Sequence, residues 1–182
     1  MFDLKNIAEK MNRFQSNQNS VFIGNLDNNV HAAELEANLF ELMSQCGIVV
    51  SMRVPAEGGK LRGFAFVEFN NAAAVLYATL AINGVSFYNR ILRVACAMDD
   101  EKDLSLRLES IPSSESELSL FEALSPNVAD IRGISFAKRN LQGKNDGRAI
   151  VWFKDRQAKE EAASCLSSPG LGTSGQLWRV HG

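Results

Sequence analysis

Long apolar runs are missing from this chain, and no stretch approaches the ~18 consecutive apolar residues that a membrane span needs. The N-terminus has no basic region followed by an apolar stretch, so a secretory signal is not expected. Only three cysteines occur in 182 residues, and Cys46, Cys96 and Cys165 form no Cys-x-x-Cys pair. An odd, scattered set argues against a disulfide framework or a zinc cluster, and reads as reduced thiols of an intracellular protein. The two histidines, His31 and His181, stand alone. Neither has a carboxylate and a nucleophile in its context, so neither is read as catalytic. There is no GxxxxGK[ST], no HExxH and no nucleophile elbow. The expectation is a non-enzyme without cofactor or metal. The glycine-rich run from Gly170 to Gly175 follows a helical pattern rather than opening one, so it reads as a loop and not a phosphate cradle. A basic surplus is missing too: 19 Lys and Arg stand against 21 Asp and Glu, a net charge of −2. The overall balance lacks the basic footprint usual where phosphate attraction leads binding. The distribution is uneven, however. Arg132, Lys138, Arg139, Lys144, Arg148, Lys154, Arg156 and Lys159 outnumber Asp130, Asp146 and Asp155 over residues 128–159.

What the chain does have is concentrated in Arg62-Gly63-Phe64-Ala65-Phe66-Val67-Glu68-Phe69. Read as a strand, Gly63, Ala65, Val67 and Phe69 point one way, and Phe64, Phe66 and Glu68 the other. The first set suits a core. The second leaves two phenylalanines on an open sheet face, which calls for a ligand. Stacking under nucleobases supplies one, at roughly 1–3 kcal/mol per base. The stretch Val21-Phe22-Ile23-Gly24-Asn25-Leu26 repeats the logic, with Val21 and Ile23 inward and Phe22 outward.

Between and after these strands the pattern predicts a full set of elements. Strand 20–25 precedes a helix with Leu35, Leu39, Leu42, Met43 and Cys46 on one stripe, ended by Gly47. Val49, Met52 and Val54 suit a second strand, and residues 56–60 a hairpin. Strand 62–69 is followed by an alanine-rich helix from Asn71 to Ile82, a turn at Asn83-Gly84, and a last strand from Arg90 to Ala95. The order is βαββαβ, a split-βαβ arrangement. It implies an antiparallel sheet with both helices on one face and the other face bare.

Every position of 62–69 fits the signature K/R-G-F/Y-G/A-F-V-x-F/Y. With Val21–Leu26 in the right order and spacing, residues 20–97 resemble a complete RNA-recognition motif. The stretch Asn38–Gly47, with Asn83-Gly84 and Asn89-Arg90, most resembles family members that serve nuclear RNA processing and splicing. The resemblance implies that Phe22 and Phe66 stack successive bases, that Phe64 contacts the sugars between them, and that Arg62 pairs with phosphate. Arg53 and Arg93 flank that platform. Asn25 joins the site, more as a clamp on the strand-to-loop turn than as a base reader. The competing expectation is that these phenylalanines lie packed under another part of the protein, and that Arg62 serves a surface ion pair.

The remaining segments extend the reading. Residues 1–19 are an amphipathic helix and linker, with Leu4, Ile7, Met11 and Phe14 at helical spacing. They pack on their own domain or dock into a partner's groove. Residues 98–103 form an acidic linker. Residues 104–182 repeat the element order: a strand from Leu104 to Ile111, a helix from Ser114 to Leu124 capped by Ser114, strands at 131–139 and 147–153, a helix from Arg156 to Leu166, and a strand from Gly175 to Val180. This half reads as a degenerate second copy. Its outward aromatic positions have become Arg107, Arg148 and Ile150, while Trp152 shares their face. Arg107, Arg148 and Trp152 therefore serve either auxiliary RNA contact or protein contact. The fold class expected is α+β, two ferredoxin-like βαββαβ domains in tandem, each with a four-stranded antiparallel sheet. The function expected is non-catalytic binding of single-stranded RNA in a nuclear RNA-processing or splicing assembly, with other proteins of such a complex as partners. A protein-interaction scaffold is the alternative.

Overall fold

A computed structural model describes residues 19–97, 104–136, 144–166 and 179–181. The N-terminal helix with Leu4, Ile7, Met11 and Phe14, the acidic linker and the glycine-rich run lie outside the described residues. The elements are β1 (Ser20–Gly24), α1 (Ala32–Ser44), β2 (Val49–Arg53), β3 (Ala56–Glu57), β4 (Lys60–Leu61), β5 (Phe64–Phe69), α2 (Ala72–Ala81), β6 (Ser86–Phe87), β7 (Arg90–Ile91), β8 (Arg93–Cys96), β9 (Ser105–Glu109), α3 (Glu117–Leu124), β10 (Ile131–Phe136), β11 (Ala149–Phe153), α4 (Arg156–Leu166) and β12 (Arg179–His181). They build two four-stranded sheets, ordered β2-β5-β1-β8 and β10-β11-β9-β12. Every pairing is antiparallel.

In the first sheet the alternation decides the core. Val21, Ile23, Ala65 and Val67 are fully buried against Leu35, Leu39 and Met43 of α1 and Val75 and Ala78 of α2. Asn71 caps α2, its side chain accepting from the Ala74 N–H at 3.0 Å. Two glycines serve different ends from the ones expected. Gly63 takes φ +78 and turns the chain, so the signature strand begins at Phe64 and not at Arg62. Gly47 does not end α1 in a left-handed turn; the helix stops at Ser44, with Gln45 in a right-handed conformation. A Cβ on Gly47 would lie 2.6 Å from the Ala74 Cβ, so the glycine is there for close helix packing.

The second sheet follows the same plan with shifted boundaries. α3 begins at Glu117 and is capped by Ser116 rather than Ser114. The Ser116 hydroxyl accepts from the Ser119 N–H at 3.1 Å, and the Ser119 hydroxyl accepts from the Ser116 N–H at 2.9 Å. This reciprocal box satisfies two orphan donors, which Ser114 would not reach. The described part of the last strand is Arg179–His181, which overlaps the end of the Gly175–Val180 expected and runs one residue past it.

The two sheets are joined through α2. Its sequence, Ala72-Ala-Ala-Val-Leu-Tyr-Ala-Thr-Leu-Ala81, carries no charge on any side. A helix apolar all round needs two covers. One face closes the first core. Leu76 and Leu80 on the other pack against the second core, built on Leu106, Leu108, Leu120, Ile134, Val151 and Phe153. In return, Trp152 of β11 packs against the first core. The bare outward face expected of the second sheet is thus occupied along β10. Gly133 and Ser135 there are buried, and α2 lies against them.

Polar groups fix the docking. The Ile134 N–H donates to the Thr79 hydroxyl at 3.3 Å, and the Phe136 N–H to Glu117 Oε1 at 3.3 Å. Both occupy the edge of β10 that β11 leaves open, which protects the strand from unwanted pairing. Asn83 completes the arrangement. Its Nδ2 donates to Glu117 Oε1 at 2.6 Å and to Ser135 Oγ at 3.2 Å, while its Oδ1 accepts from the Val94 N–H at 2.8 Å. Glu117, 2% exposed, is a carboxylate that needs these donors. Substituting Asn83→Ala is expected to lower stability by about 1–3 kcal/mol, the cost of leaving buried polar groups unmet. Denaturant unfolding measures this, and an unchanged midpoint would show that water replaces the amide without loss.

Candidate nucleic-acid interface

The aromatic residues of β1 and β5 meet on the outer face of the first sheet. Phe22 pairs with Phe66 across the two strands, and Phe64 with Gly24. Their ring centroids form a triangle, 5.9 Å for Phe22–Phe64, 5.6 Å for Phe22–Phe66 and 5.8 Å for Phe64–Phe66. All three are partly exposed, and none is packed against the buried core. The reading in which they lie sealed beneath another part of the protein does not fit the described residues.

Cations surround the rings. The Arg62 guanidinium lies 5.4 Å from the Phe64 centroid, a cation–π contact, and its Nε is 4.0 Å from Glu57 Oε2. Glu57 is 81% exposed, so that ion pair is weak and exchangeable. Arg53 sits opposite Phe66 on β2, and Arg93 opposite Gly24 on β8, so both share the aromatic face from its two flanks. Asn25 takes φ +64 and donates from Nδ2 to the Ile91 carbonyl at 2.8 Å. Its side-chain amide is engaged in holding the end of β1 to β7.

Three face residues, Gly24, Ala95 and Ser51, escaped the sequence reading. Gly24 and Ala95 give the Phe22 ring small neighbours, and Ser51 donates to Glu68 Oε2 at 3.0 Å beside Phe66. Strand register identifies them, and register is not written in any one segment. Among the second-sheet candidates, Arg107 is exposed opposite Ile150. Arg148 is exposed and held by Asp146, its Nη2 at 2.8 Å from Oδ2. Trp152 packs against the first core and remains partly exposed.

The family model described as RNA recognition motif matches residues 21–93. A putative RNA-binding protein RbpE of Nostoc sp. is 33% identical over 85 residues, covering 46% of this chain and 82% of that protein. The chain belongs to the RNA recognition motif family. RNA-binding protein 7 of Mus musculus is 37% identical over 76 residues, 41% of this chain and 27% of its own length. Splicing factor 3B subunit 4 of Caenorhabditis elegans is 25% identical over 158 residues, 84% of this chain and 40% of its own. The chain spans half or less of the length of the RNA-binding protein 7 relatives it matches. The RNA-recognition-motif match runs from Val21 in β1 to Arg93 at the start of β8 and includes the positions of all three rings, on β1 and β5.

Proposed function

We propose that this protein binds single-stranded RNA on the outer face of its first sheet, without catalysis. The observation that carries the reading is the triangle of partly exposed phenylalanine rings, backed by fully buried alternates and flanked by Arg53, Arg62 and Arg93. Phe22 and Phe66 stack bases, Phe64 supports the chain between them, and Arg62 exchanges Glu57 for phosphate. Residues 20–97 act as the binding unit and 104–182 as a degenerate second copy that braces it. Relatives named as an RNA-binding protein and a splicing factor subunit support a place in nuclear RNA processing, among other proteins of such an assembly. A scaffold role is the second reading, favoured by exposed apolar side chains at Phe40, Ile48 and Val50.

Stacking requires unpaired bases, so strandedness tests the proposal. Fluorescence anisotropy with a mixed-sequence RNA is expected to show binding to the single strand, and binding about tenfold or more weaker to its duplex, whose base faces are hidden. Equal affinity for both would assign the attraction to charge. No binding to either would leave the scaffold reading.

A further inference from the structure

We infer that Glu68 selects guanine as the base held on Phe66, by offering its carboxylate to the two adjacent N–H donors of that base's Watson–Crick edge. The inference rests on the RNA-binding reading above and goes beyond it to the identity of one base. An acid is out of place on a surface that must admit phosphate, because it repels the RNA backbone. Glu68 nevertheless lies on the outer face of β5, partly exposed, two residues beyond Phe66. A group that reads a base would explain its presence there.

Strand register gives Phe66 its neighbours on that face. Phe22 stands across on β1 and Arg53 across on β2, while Phe64 and Glu68 precede and follow it on β5. Two sides are aromatic and two are charged. Two residues of strand separate the Phe66 and Glu68 backbones by about 7 Å, so a base over the ring can turn an edge toward the carboxylate. That carboxylate is held in place. Ser51, opposite Glu68 on β2, donates from its hydroxyl to Oε2 at 3.0 Å, and Glu68 has a further partner within the protein. A carboxylate has about four acceptor sites, so these contacts fix its direction and leave capacity for a ligand. The four bases differ in what they bring. Guanine sets N1–H beside its 2-amino group, two donors matched to two carboxylate oxygens. Adenine, cytosine and uracil each show a single donor group beside acceptors. Paired bonds to an ionised group are the strong ones, and guanine's edge is the one that makes them here. The same edge ends in O6, an acceptor that suits Arg53 on the neighbouring strand.

The test uses the full chain and three short uridine-rich RNAs that differ only at one central position: guanosine, adenosine or inosine. Guanine and adenine offer Phe66 rings of the same size, so their ratio separates the edge contact from stacking. By anisotropy the wild type is expected to bind the guanosine RNA about tenfold more tightly than the adenosine RNA, as one bidentate base contact allows. Inosine, which lacks the 2-amino group, is expected between the two. Glu68→Gln is expected to bring the guanosine-to-adenosine ratio toward unity without weakening the adenosine RNA, because a negative charge leaves the phosphate path. A merely structural role for Glu68 would lower both affinities together, and that result overturns the inference. So does a wild-type ratio near one, a ratio that survives the substitution, or inosine bound as tightly as guanosine; in each case RNA binding stands. Failure of the wild type to bind any of the three overturns the RNA reading itself.

Discussion

Phe22→Ala combined with Phe66→Ala lowers affinity for single-stranded RNA by roughly 2–6 kcal/mol, two stacks lost at once. The fold should survive. Both rings are partly exposed on the outer face and lie outside the buried core, so neither truncation opens a closed cavity. Anisotropy titration gives the affinity, and far-UV circular dichroism with a thermal melt gives the fold. Single substitutions should each show part of the loss. They need not add, because the rings touch and the loss of one frees the other to move. Full affinity in the double variant would remove stacking as the mechanism and return the protein to the scaffold reading.

The second large effect concerns the junction. Gly133→Val should destabilise the protein by about 3 kcal/mol, the upper part of the usual range for overpacking a closed interior. A Cβ at Gly133 would lie 2.5 Å from Cys96 Sγ and 3.1 Å from Thr79 Oγ1. Thr79 is fully buried, and its hydroxyl is engaged with the Leu76 carbonyl and the Ile134 N–H, so it cannot swing away. The chain would relieve the contact by parting β10 from α2. Cys96 reports that event. Burial pushes its thiol pKa up to about 12, which keeps the reactive thiolate scarce near neutral pH. Opening would let the pKa fall toward its ordinary value and speed labelling by a thiol reagent. Thermal melting and peptide mapping after alkylation follow the two readouts. An unchanged melt with Cys96 still protected would mean that the interface tolerates the extra volume.

Much of the first unit was legible because its signals are local. The alternation in 62–69 and in 21–26 separates core from face without any knowledge of partners, and both strands obey it. The stripe of Leu35, Leu39 and Met43 likewise fixes the buried side of α1. The junction was not read, although a clue stood in plain view. Ala72–Ala81 carries no charged side chain on any face, which calls for more than one apolar cover. Its second cover lies on β10, far along the chain, and no periodicity names a distant partner. Gly133 carries the matching clue, a glycine inside a strand where backbones approach closely. Trp152 shows the same gap. Period two placed it on the outward face, but what that face meets depends on tertiary contact. For the platform, the three rings were legible from motif and alternation, while Gly24 and Ala95 required the register between strands.

Helix α2 contributes side chains to both hydrophobic interiors, so neither half can be altered independently of the other. A change at Leu76 or Leu80, which by position belong to the half with the aromatic triangle, weakens the half that lacks it. Heating should therefore dissolve the described fold in one step, and damage to the C-terminal sheet should be felt at the aromatic face of the first sheet.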